Sequence, residues 1–97
     1  MQITYEEQNL LSITGNITLA KLSELRTEGE NIIKELNTPC KITLSNLHNL
    51  HIAIISLILA WVRFARLHKK NIQFIEIPAK LLKWLEIINL NTIPEIS

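Results

Sequence analysis

Along the chain, apolar residues recur first with the period of a strand and then with that of a helix. Residues 2–6 and 9–14 alternate apolar and polar positions, as two strands do, around the polar turn Glu7-Gln8-Asn9. Gly15-Asn16 closes the second strand. From Thr18 to Leu36 the spacing becomes helical, with Leu22, Leu25, Ile32, Ile33 and Leu36 on one stripe. Gly29 falls on the same stripe, where the missing side chain predicts close packing against a sheet. Lys21, Glu24, Glu28 and Glu35 form the opposite, solvated face.

Asn37-Thr38-Pro39 stops this helix, because proline cannot continue it. Residues 41–44 read as a short strand, and Ser45-Asn46-Leu47-His48-Asn49 as a polar connector. A second helix is predicted from about Ile52 to His68, ending in a basic cluster (His68-Lys69-Lys70) that suits a helix C-terminus. Residues 72–77 make another strand. Pro78 opens a third helix, Ala79 to Ile88, with Leu81, Leu82, Leu85 and Ile88 toward the core. The expected order is ββαβαβα, an α/β fold with a mixed, mostly parallel sheet and helices packed against it. Ninety-seven residues, with 47% of them apolar, suffice for one such domain, residues 1–97.

At 100° per residue, the second helix turns Ile54, Leu57, Ile58, Trp61 and Ala65 to one side, the side expected to meet the sheet. Its other side carries Ser56, Ala60, Arg63 and Arg66, and also three large aliphatics, Ile52, Ile55 and Leu59. An apolar strip rimmed by charge marks a binding surface unless the chain's own loops or helices cover it. The start of this helix also follows the C-terminal end of a strand, where open α/β sheets build their sites.

Charge narrows the choice of partner. The net charge of +1 conceals six glutamates in residues 1–35, and a stretch from 36 to 75 that holds five Lys and Arg without a single acid. That basic middle suits an acidic protein surface or a nearby anionic membrane face. Few aromatics and a near-zero total charge argue against nucleic acid. The longest nearly unbroken apolar run, Ile52 to Val62, has 11 residues, against roughly 20 for a membrane span. The first residues lack the basic and apolar regions of a signal peptide, so a cytoplasmic chain is expected.

Catalytic chemistry finds little to use. The two glycines, Gly15 and Gly29, build no phosphate loop, and there is no Gly-x-Ser-x-Gly elbow and no aspartate anywhere. The lone Cys40 excludes an internal disulfide, and no activating base is evident for it. His48 and His51 have a metal-like spacing but lack the third and fourth ligands zinc needs. No enzymatic activity, cofactor or metal is expected.

These features resemble the STAS family, the fold of bacterial anti-sigma factor antagonists, and within it the small STAS subunit of Mla-type phospholipid-transport ABC systems. The resemblance rests on length, element order, the entry Leu11-Ser12-Ile13-Thr14-Gly15-Asn16-Ile17, and Ile42-Thr43-Leu44-Ser45 ahead of a hydrophobic helix. It departs at the family's Asp-Ser/Thr-Ser/Gly-Gly turn, which reads His51-Ile52-Ala53-Ile54 here. The aspartate and the phosphate-accepting hydroxyl are both absent, so no phosphorylation site is expected there. The resemblance implies a subunit that docks on the cytoplasmic ATPase of a transporter, peripheral to the inner membrane. His51, Ile52, Ile55, Ser56, Leu59 and Arg63 would form the contact. Two other readings stay open: a regulator of the anti-sigma antagonist kind without the phosphorylation step, and a carrier that holds an acyl chain against the second helix.

Overall fold

A computed structural model describes residues 2–7, 9–16, 18–36, 39–48 and 50–96. The expected helix stop at Asn37-Thr38, together with Gln8, Ile17 and Asn49, lies outside them. The elements are β1 (Gln2–Glu7), β2 (Leu10–Asn16), α1 (Leu19–Glu35), β3 (Cys40–Thr43), β4 (Leu47–His48), α2 (Ile54–Leu67), β5 (Ile72–Ile75) and α3 (Ala79–Ile87). β4 is an addition to the expected order. It pairs in parallel with the end of β2, Gly15 opposite Leu47 and Asn16 opposite His48. Two residues are too few to show a period, so the sequence read this stretch as a connector.

The sheet runs β1-β2-β3-β5, with β1 antiparallel to β2 and the remaining pairs parallel. Because the parallel strands advance in one direction, right-handed crossovers carry α1 and α2 over the same face. Register agrees with this arrangement. Leu11, Ile42 and Phe74 pair side by side and are all buried, whereas the neighbouring row holds the exposed Lys41. The core adds Leu25 and Ile33 from α1, the expected stripe of α2 plus Val62, and Leu81 and Leu85 from α3.

Two expectations about helix faces need correction. Gly29 packs against Trp61 of α2 and not against the sheet: a Cβ there would come within 3.0 Å of the indole ring. The Trp61 indole N–H donates to the Arg26 carbonyl of α1 at 3.2 Å, so a glycine gap and a hydrogen bond fix one helix against the other. On α3, Leu81 and Leu85 are buried, but Leu82 is only half-buried and Ile88 is 46% exposed.

The outer edge of the sheet is covered by the chain's last segment. Phe74 N–H donates to the Glu95 carbonyl at 2.8 Å, and Ile96 is buried beside it. Arg66 on α2 grips the Glu95 carboxylate with two hydrogen bonds of 2.7 and 2.8 Å. This bond occupies one donor of the edge strand, which leaves less of its ladder open to other chains. Lys70 is also used internally, donating to the Leu36 carbonyl just past the end of α1. Part of the basic middle is therefore spent on holding the fold together.

Gly29→Ala should destabilise the protein by about 1–3 kcal/mol, as overpacking a tight core contact does, measurable by urea unfolding. The Arg66 guanidinium holds the Glu95 carboxyl below its ordinary range. Its stabilisation is therefore complete above the unfolded carboxylate value and is lost as pH falls through the lowered folded value. The stability difference between wild type and Glu95→Gln should be largest near neutrality and shrink below about pH 4, as read from Tm across a pH series.

Candidate functional site

The entry to α2 is a tight turn built by its own first residues. Ile54, Ile55 and Ser56 N–H donate three residues back, to the carbonyls of His51, Ile52 and Ala53, at 3.0–3.1 Å. The His51 ring closes the turn by accepting the Ala53 N–H at Nδ1, 3.0 Å away. A free helix-entry N–H is thereby satisfied, the task an aspartate or serine side chain usually performs. Ser56 turns its hydroxyl inward and donates to the Ala53 carbonyl at 2.8 Å.

Beyond this turn lies an open trough of about 480 Å³, almost wholly apolar. One wall is Ile52, Ala53, Ile55, Ser56 and Leu59 of the α2 face; the other is Trp84, Ile87 and Ile88 at the end of α3. Ile52 is 53% exposed and Ile87 74%, while Ile55 and Leu59 are half-buried. The apolar strip read from the sequence is therefore real, but α3 covers it in part and turns it into a groove. Four of the six expected contact residues, Ile52, Ile55, Ser56 and Leu59, line this groove together. His51 stands at its head as the cap of the turn. Arg63 is one turn past Leu59, and instead borders a second groove between α1 and α2 with Arg26, Glu30 and Leu67.

The sequence missed the α3 wall. Its signal was present: Trp84, Ile87 and Ile88 share a stripe of their own, offset from Leu81 and Leu85. A nine-residue helix with apolar residues on both stripes leaves the choice of inner face to packing.

Several other polar and titratable groups among the described residues are tied up within the fold. Burial pushes the Cys40 thiol up to about 11, and the residue starts β3, at the end of the sheet away from the α2 entry. It is therefore an unreactive thiol at neutral pH. Where β3 and β5 end, Thr43 Oγ1 donates to Glu76 Oε1 at 3.1 Å and meets Ser45 Oγ at 3.1 Å, while the Asn46 amide donates to Ser12 Oγ at 3.0 Å. These groups satisfy one another and pin the β3–β4 loop to its neighbours. Among the described residues, no three His, Cys, Asp or Glu side chains cluster as metal ligands would. No helix in them is long and apolar enough to cross a membrane.

A mixed sheet with β1 antiparallel and the other strands parallel, with helices packed against it in this order, is the architecture of a STAS-type domain. The chain belongs to the family described as Mlab, STAS domain, whose model matches residues 3–95. It is similar in structure to a chain of the Acinetobacter MlaFEDB complex in its ATP-bound conformation, with a TM-score of 0.81, 19% identity and 100% of both chains covered. It is also similar to the anti-sigma factor antagonist SpoIIAA in its unphosphorylated form, with a TM-score of 0.71 and 12% identity over 92% of this chain and 80% of that one. At these identities the likeness is one of fold. No curated protein sequence matches the chain.

His51→Ala should cost about 1 kcal/mol of stability through the lost cap, and His51→Asp should restore most of it; chemical denaturation of the three proteins measures both steps.

Proposed function

We propose that the protein is a non-enzymatic accessory subunit of a Mla-type phospholipid-transport ABC complex. It docks on the ATPase subunit at the cytoplasmic face of the membrane through the front of α2. The observation that carries this reading is the exposed apolar groove at the entry of α2, the place the STAS resemblance assigns to partner contact. The end-to-end likeness to a chain of a solved Mla complex adds support for the class of assembly.

In this role His51 shapes the turn, and Ile52 stands at the centre of the contact. Ile55 and Leu59 supply apolar burial behind it. Ser56 lies on the ridge between the two grooves of α2, and Arg63 extends the surface with a positive charge. Fully burying an aliphatic side chain of this size contributes roughly 1.5–3 kcal/mol, so a few of them suffice for a standing contact. No reaction is required of these residues. A partner-binding regulator of the anti-sigma antagonist kind is the second reading, supported by the likeness to SpoIIAA.

The two separate by partner. The chain co-expressed with the ATPase and permease subunits of a transporter from the same genome should co-elute with the ATPase in stoichiometric amount. Ile52→Glu should abolish co-elution while leaving Tm within a few degrees of wild type, since Ile52 is already half in water. Stoichiometric capture of a kinase-like anti-sigma factor, with no ATPase bound, would replace the transporter reading with the regulatory one.

A further inference from the structure

The groove between α2 and α3 has a shape and a charge pattern that together specify its occupant. It is walled by the first two turns of α2, from Ile52 to Leu59, on one side and by the last turn of α3, from Trp84 to Ile88, on the other. A trough of this kind accepts a third helix, laid in with its apolar side chains between the two walls.

The lining carries no charge of its own, and two lysines of α3 flank its α3 wall. Lys80 lies one turn before Trp84, with Nζ 5.3 Å from the centre of its ring. Lys83 lies one turn before Ile87; both lysines are exposed. Glu86, the acid of α3, points about 160° away from Trp84 at 100° per residue. Glu95, which is near α2, is already held by Arg66. A second copy of the chain would bring the same cations against one another, so the rim disfavours self-association and favours an acidic partner.

We infer that the α2–α3 groove binds an amphipathic helix of a protein partner, with apolar residues at i, i+3, i+4 and i+7 and glutamates or aspartates flanking that stripe. This rests on the protein-docking reading above and adds the partner's chemistry and a second wall, formed by Trp84, Ile87 and Ile88. The aliphatics supply burial, and the cations set orientation and rate of encounter.

The test uses two synthetic helical peptides of about fifteen residues, identical in their leucine stripe and differing only in having glutamates or lysines beside it. Each is titrated into the whole chain, and binding is followed by Trp84 fluorescence, with Trp84→Phe as the control for the signal. The acidic peptide should bind at least about tenfold more tightly than the basic one, with the gap closing as salt is raised. Ile87→Asp should remove binding, and the double change Lys80→Glu with Lys83→Glu should reverse the preference, both without lowering Tm. Equal affinity for the two peptides, or binding of neither, overturns the inference. So does a Trp84 response to phosphatidylglycerol vesicles that exceeds the response to the acidic peptide, which would make the groove a lipid site. A chain that binds the acidic peptide yet forms no complex with a transporter ATPase overturns only the choice of ATPase as partner. An ATPase complex unaffected by Ile87→Asp, with the peptide unbound, overturns only the inference made here.

Discussion

The placement of Trp61 against α1 governs how the rest of the molecule presents itself. This is a fully buried indole lying where any side chain at position 29 would collide with it. Its N–H is spent on a backbone carbonyl of the same helix. The contact fixes both the separation of α1 and α2 and the rotation of α2 about its own axis. With Trp61 turned inward, Ile54, Leu57, Ile58 and Ala65 must follow it into the core, and Ile52, Ile55, Ser56 and Leu59 must face away. A rotation of one residue that carried Ile55 into the core would lift Leu57 into water. The outward groove is thus a consequence of an inward fit.

What the sequence made legible follows the length and purity of each pattern. The core face of α2 could be read because 14 helical residues repeat the same apolar spacing through four turns, ending in polar and basic residues. The sheet strands were legible from alternation and from the turns that bound them. β4 was not, because a two-residue bridge to β2 depends on where the loop after β3 is held. That position is set by hydrogen bonds from Thr43 and Asn46 to residues more than thirty positions away. Gly29 was seen as a point of close approach, but the neighbour it admits comes from a helix thirty residues later, and local spacing carries no information about it.

The candidate site was legible in the same partial way. Excess aliphatics on α2 can be counted from the sequence, whereas the element that half-covers them cannot. α3 presents two apolar stripes. Leu81 and Leu85 win the core because they are completely enclosed there, and Trp84, Ile87 and Ile88 are left beside Ile55 and Leu59. The result lies between the two simple expectations for an apolar strip, which are that it is bare or that it is buried. Partial cover divides the strip: Ile55 and Leu59 are half-shielded, and Ile52 and Ile87 remain exposed at the rim.

The change at the α2 entry is coherent in chemical terms. The aspartate expected of the family's turn would accept backbone N–H groups there, and His51 Nδ1 does the same, so the turn survives the substitution. Ile52 replaces the hydroxyl with an apolar side chain that a phosphate could never modify. The hydroxyl of Ser56, in the first turn of α2, is already bonded to its own helix. The resemblance implies a turn that elsewhere gains negative charge on phosphorylation and repels its partner; here its tip, Ile52, is apolar and exposed. On the proposed reading this converts a switchable contact into a permanent one. Permanence is what an accessory subunit held within a transporter complex requires, and a regulator that must release its partner would lack its usual means of doing so.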